Sequence, residues 1–371
     1  MRLTILLNSF VSLAYGTDGK CTTKYARKAQ VIRIRMTSRE RIKTIIAGEQ
    51  PDRCGFWLGM PHPDTWPLYL KHFGFSEEEE LRRYLHDDLR WISPEWNSYR
   101  HPEGKPLFNI VRLGISQGFI PVFADCEDVN QVEEYDGWPN PDYLDFTEAI
   151  EKLRNAGDVY RASGMWTCFF HNVADHFGME NYFIKMYTNP DVVDAVTRHV
   201  CEFYYKANER FFELAGNEVD AYFLGNDFGT QLDLLVSPQL MERFVLPWFR
   251  RFVKQGHAHG HQVMIHSCGA VHKLIPRFIE AGIDALHPLQ ARASDMDAES
   301  LARDFKGKIA FIGGIDTQQL LVRGTPDDVR AEVRRVKQLL GPNLVVSPSH
   351  EALLPNVSPE NVLAMAEEAR A

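Results

Sequence analysis

The sequence predicts an α/β protein, a (β/α)8 TIM barrel with a hairpin insertion after the second strand. Three observations carry this. Eight short apolar segments, near residues 54, 89, 165, 219, 263, 283, 309 and 344, are mostly separated by stretches with helical caps. A chain of 371 residues is long for one ordinary domain but suits a barrel with insertions. No glycine-rich phosphate fingerprint follows the first strand, which counts against the runner-up, a doubly wound open sheet.

The elements follow in order. Residues 1–35 read as an N-terminal extension, and 36–371 as the barrel domain. The run Leu3 to Ala14 could serve as a weak signal peptide. The favoured reading is an upstream extension of a cytoplasmic protein, because Met36 opens a fresh helix start with Ser38 as its N-cap. Cys54 to Gly59 is a strand, Trp66 to Phe73 and Glu77 to Leu85 are helical, and Leu89 to Ser93 is the second strand. Phe108 to Leu113 and Phe119 to Phe123 flank Gly114 to Gly118 as a hairpin. Phe146 to Ala156 is helical, and Met165 to Phe170 reads as the third strand. Asn189 caps and Pro190 opens a long helix. Val219 to Leu224 is a strand, and Pro247 should kink the helix after it. Strands Val263 to Ile265, Ile283 to Leu286, Ile309 to Ile312 and Leu344 to Val346 alternate with helices opened by Thr325-Pro326 and Ser358-Pro359.

Composition narrows the function classes. Hydrophobic residues at 44% and charged residues at 25% are ordinary for a globular enzyme. A net charge of -9 argues against nucleic acid as a partner, since phosphate binding needs a basic surface. Six cysteines without paired spacing suit a reducing compartment. No stretch reaches the roughly 20 apolar residues that span a bilayer.

In a barrel, chemistry collects where the strands end. The fifth strand ends in His266-Ser267-Cys268-Gly269. Residues i and i+2 of an extended strand share a side, so the imidazole and thiol aim at one point, and zinc favours that pair. A packed histidine and an inert cysteine is the plain alternative. The other strand ends offer Trp57, Glu95, His171 with Asn172, Asp227 with Gln231, His287 with Gln290, Asp316, and His350 with Glu351. Asp227 and Asp316 could equally hold backbone N–H groups in turns, and Gln231 and Gln290 could be satisfied polar residues. His171 is open between a ligand contact and packing. His257, His259 and His261 fall at the opposite rim and read as a solvated loop.

The stretches Gly225-Asn-Asp-Phe-Gly-Thr-Gln231, His266-Ser-Cys-Gly269, Gly313-Gly-Ile-Asp-Thr-Gln318, and Pro348-Ser-His350 with Ser358-Pro-Glu-Asn-Val362 resemble the uroporphyrinogen decarboxylase superfamily. The resemblance runs from about Met36 to the C-terminus. It implies a (β/α)8 barrel, and either a tetrapyrrole decarboxylase or a zinc-dependent methyltransferase that works with a corrinoid protein. The decarboxylase branch uses an arginine pair after strand 1 and an aspartate after strand 2. Here the first loop, Trp57 to Asp64, has no arginine, and Glu95 stands where the aspartate is expected. The methyltransferase branch uses a His-x-Cys pair plus a later cysteine as zinc ligands. His266 and Cys268 match the pair, no cysteine follows, and His350 is the substitute with Glu351 in reserve.

The resemblance thus implies a zinc-dependent methyltransferase or demethylase acting with a corrinoid protein or a thiol acceptor. His266, Cys268 and His350 would hold Zn2+, and Asp227 and Glu95 would be catalytic. Trp57, His171, Asn172, Gln231, Gln290 and Asp316 would contact a small-molecule substrate, with Trp96 a further wall. A homodimer fits the resemblance. The alternatives are a metal-free decarboxylase, with Glu95 or Asp227 as proton donor, and a non-catalytic corrinoid or tetrapyrrole binder.

Overall fold

The computed structural model describes residues 35–94, 96–110 and 120–371, without the side chain of Trp96. The expected extension lies outside these residues except for Arg35. Eight strands form one parallel sheet: β1 Gly55–Phe56, β2 Leu89–Trp91, β3 Tyr160–Ser163, β4 Ala221–Gly225, β5 Gln262–His266, β6 Ala285–His287, β7 Ala310–Ile315 and β8 Leu344–Pro348. Consecutive strands are neighbours from β2 to β8, and β8 pairs with β1. The remaining seam is stitched by the Asp88 N–H, which donates to the Phe56 carbonyl at 2.8 Å. Helices on the connections complete the (β/α)8 barrel.

Side-chain alternation divides the apolar residues into two cores. One face of each strand packs against the helical ring. The other fills the barrel, with Leu89, Tyr160, Ala162, Phe223, Met264 and Ile312 among its inward residues. Helix Ser38–Ile46 closes the N-terminal end by adding Ile42, Ile45 and Ile46 to that inner core. Each such buried side chain contributes about 1.5–3 kcal/mol relative to exposure.

Local chemistry sets the helix starts, with two corrections. Thr37, not Ser38, caps the first helix, and Glu40 completes its capping box. The Ser38 hydroxyl instead donates to Asp88 at 2.6 Å. Helix Pro190–Ala215 begins as expected, but the Asn189 side chain accepts from the Thr188 hydroxyl rather than capping. Thr325 and Ser358 do cap their helices. Pro247 lacks the N–H an α-helix would use, and a π-helical turn at Met241–Val245 precedes helix Leu246–Ala258.

The third strand is displaced from its expected place. β3 is Tyr160–Ser163, while the aromatic stretch beyond it becomes helix Phe169–Phe177. Phe169, Phe170, Val173, Ala174 and Phe177 recur at helical spacing and are all buried, so tertiary packing overrides the β preference of the aromatics. Arg161 made the true strand look polar; its guanidinium pairs with Glu218 outside the barrel. The tip of the expected hairpin, within 111–119, lies outside the described residues. Its flank at Leu107–Asn109 is a 3-10 turn, not a strand.

Candidate functional site

Inward alternation along β5 continues from Met264 to His266, and the loop carries Cys268 just beyond. Gly269 turns the chain there at φ +89°, and a Cβ on it would lie 2.3 Å from the Gly229 carbonyl oxygen. Two neighbours hold the loop. The Cys268 N–H donates to Asp227 Oδ1 at 2.8 Å, and the Gly269 N–H donates to Gln290 Oε1 at 2.7 Å.

His266 is the hub. Its Nε2 lies 3.3 Å from Asp227 Oδ1 and 3.5 Å from Cys268 Sγ. Its Nδ1 lies 3.0 Å from His287 Nδ1 and 3.6 Å from Glu351 Oε2. His287 arrives because β6 pairs with β5 in register, His266 opposite His287. His350 and Glu351 reach across from the end of β8, and their donor atoms lie within 4.8 Å of Cys268 Sγ. The first loop braces that crossing, the Met60 N–H donating to the Glu351 carbonyl at 2.8 Å.

The electrostatics follow from this crowding. Burial opposes charge on His266, but hydrogen bonds with Asp227 and Cys268 and the field of Glu351 hold it well above the usual imidazole range. Burial likewise opposes charge on Asp227, yet His266 and the Cys268 N–H hold its carboxyl well below the usual carboxylate range. His287 is fully buried and pushed well down, first by burial and then by the charges of His266 and His350. His350 is raised by its hydrogen bond with Cys268 against the opposing effect of burial. A protonated imidazole among carboxylates and a thiol occupies the place a divalent cation could take.

The donor set fits such an ion. Zinc holds nitrogen, oxygen and sulfur at about 2.0–2.3 Å, which spaces tetrahedral donors by about 3.3–3.6 Å. The 3.3 Å and 3.5 Å separations around His266 Nε2 match this spacing. Three overlapping trios could hold a metal: Asp227, His266 and Cys268; His266, His287 and Glu351; and Cys268, His350 and Glu351.

A cavity of about 940 Å³ opens above the cluster, with Asp227, His266 and Glu351 in its lining. His171 and Asn172 line it from helix Phe169–Phe177, not from a strand end. Trp166 forms a wall with its ring 5.4 Å from that of His266. Gly225 makes room for it, since a Cβ there would lie 2.0 Å from the Trp166 ring.

The remaining expected residues sit elsewhere. Trp57 is fully buried inside the barrel with its ring 4.9 Å from His287, beneath the cluster. Gln290 supports the Gly269 turn. Gln231 is exposed, and its carbonyl accepts from the Ser294 N–H. Asp316 accepts from the N–H groups of Gln318, Gln319 and Leu320 and lines a different cavity. Glu95 lies outside the described residues. The opposite-rim histidines are only partly a solvated surface: His261 is buried, and His259 meets Glu209 at 3.1 Å. Trp166, Arg100 and Lys105 are not among the residues the strand ends offered, whereas His287 is, without a role at the site. The i+2 step from Ala285 was the available signal for His287.

A parallel barrel with a nitrogen, sulfur and oxygen cluster at the C-terminal ends of its strands defines the class. Residues 111–371 match the uroporphyrinogen decarboxylase (URO-D) family, and the chain belongs to it. Among solved structures, a methyltransferase from Methanosarcina mazei is similar, with a TM-score of 0.63 and 13% identity over 90% of this chain and 98% of that one. No curated protein matches the chain.

Proposed function

We propose that the protein is a zinc-dependent methyltransferase or demethylase whose methyl acceptor or donor is a corrinoid protein or a thiol. The observation that carries this is that Cys268 belongs to two donor trios at one barrel mouth, one with Asp227 and His266 and one with His350 and Glu351, although His266 and His350 share no trio. Zinc held there would supply Lewis acidity to a thiolate or to the oxygen leaving a methyl group. The chain's own residues do the rest. Asp227 fixes the Cys268 backbone and stays ionised, so it orients rather than donates a proton. Trp166 and Asn172 shape the space in which the methyl-bearing group sits. The similarity in fold to a methyltransferase agrees with this reading.

A metal-free decarboxylase is the second reading. The depressed Asp227 carboxyl weakens it, because Asp227 then has no proton to donate at neutral pH and Glu95 is left as the donor. The test uses zinc-loaded protein with cob(I)alamin and a panel of methyl ethers and thioethers. Methylcobalamin formation that His266→Ala and Cys268→Ala both abolish supports methyl transfer. Zinc-independent CO2 release from an aromatic acid, with no methylcobalamin, replaces it with decarboxylation.

A further inference from the structure

The first loop carries no arginine, yet the cavity does not lack cations. Arg100 and Lys105, from the segment after β2, line it together with Tyr99, Leu107 and Ile110. That segment is anchored on the helical layer rather than on the strand ends. Tyr99 packs with Tyr143 and Phe203, and the Arg100 N–H donates to the Tyr143 carbonyl at 2.7 Å.

Neither cation is used up by the fold. The Arg100 guanidinium makes no hydrogen bond or ion pair among the described residues, and its field reaches Asp145 and Glu148. Among the described residues Lys105 meets only Glu103, at 3.4 Å, and both side chains are exposed, so that pair contributes little. The same lining carries the carboxylates Asp227 and Glu351. The third acid on the lining, Asp175, is engaged by Asn172. The lining therefore holds cations from the segment after β2, carboxylates from beyond the ends of β4 and β8, and apolar and aromatic side chains. An anion entering it is drawn to the cations and repelled by the carboxylates.

We propose that Arg100 and Lys105 form a carboxylate-binding subsite. The substrate is then an organic acid with a flat apolar body, whose charged end lies at Arg100 and Lys105. Its uncharged end reaches His266 and Asp227. That this second end bears the methyl group rests on the methyl-transfer reading; the subsite does not. Arginine's planar fork suits a carboxylate, and the cations select for it over an uncharged analogue of the same shape.

Isothermal titration of the full chain tests this, with 2-naphthoate and the uncharged 2-naphthamide, on both metal-stripped and zinc-loaded protein. Two exposed cations predict a preference of about tenfold for the carboxylate in both forms. The double variant R100Q/K105Q should bind the two ligands equally, while its affinity for the amide stays that of the parent. The unchanged amide affinity shows that the variant is folded. Equal binding of the two ligands by the parent, or a preference that survives in R100Q/K105Q, overturns the subsite. A preference that disappears in the variant, with no methylcobalamin formed under any condition, supports the subsite and overturns the reaction instead.

Discussion

Strand β5 carries a buried histidine at each end, and the two have opposite characters. His261 precedes the strand at the N-terminal rim, and burial, aided by the charge of His259, lowers it to about 4. His266 ends the strand at the C-terminal rim, where it is equally buried but held well above the usual range by Asp227 and Cys268. The surroundings explain the difference. At the N-terminal rim charges are matched. Asp88 is met by Arg41 and Arg53 at 2.8 Å each, and Asp220 by Arg39 and Lys43 at 2.8 and 2.6 Å. At the C-terminal rim similar groups face one another, two imidazoles at 3.0 Å beside a thiol and carboxylates. Matched charges fix a fold, whereas converging donors could hold a cation.

The largest expected effect is at the matched rim. Asp88→Ala leaves two arginines without their buried partner and frees the N–H of Phe56, which donates to Asp88 at 3.0 Å. The loss should be about 3–5 kcal/mol, read from the denaturation midpoint. A loss below about 1 kcal/mol would erase the contrast between the rims.

The pH response of the two histidines sharpens it. His261 has a folded pKa of about 4, below its unfolded value. Its contribution is present above about pH 6.5 and is lost as pH falls toward 4. His261→Gln should remove about 2–3 kcal/mol of that acid-side loss. His266 has a raised folded pKa, so in metal-free protein its contribution is present below about pH 6.5. It disappears as pH rises through the raised value. His266→Gln should therefore cost metal-free protein more at pH 6 than at pH 9. Unfolding curves of His261→Gln from pH 7 down to 4, and of metal-free His266→Gln from pH 6 to 9, check the two signs.

The smallest effect is expected at His287. It is fully buried, and its Nε2 has no hydrogen-bond partner among the described residues. His287→Leu in metal-free protein should cost under about 1 kcal/mol, or stabilise it. A loss as large as that of Asp88→Ala would show His287 to be a structural histidine.

The barrel was legible because its helix starts carry explicit caps and its strands are apolar. β3 was not, because Arg161 looked polar while the buried helix beyond it was rich in aromatics. The His266 and Cys268 pair could be read from the period of a strand. Its partners depend on register and loop course. His287 is placed by the β5–β6 ladder, and Glu351 by backbone bonds between the first and last loops. Asp316 and Gln231 show the limit from the other side. Both follow strand ends, but Asp316 is occupied by backbone N–H groups, and Gln231 faces solvent. Residue type alone does not distinguish a donor held by its own loop from one left facing the cavity.

The most direct test of the account is the metal content of purified full-length protein beside His266→Ala and Cys268→Ala. The account predicts one zinc per chain, lost from both variants, with X-ray absorption showing mixed sulfur and nitrogen or oxygen ligation. Zinc absent from the parent after growth and refolding in zinc, or retained by both variants, would contradict it.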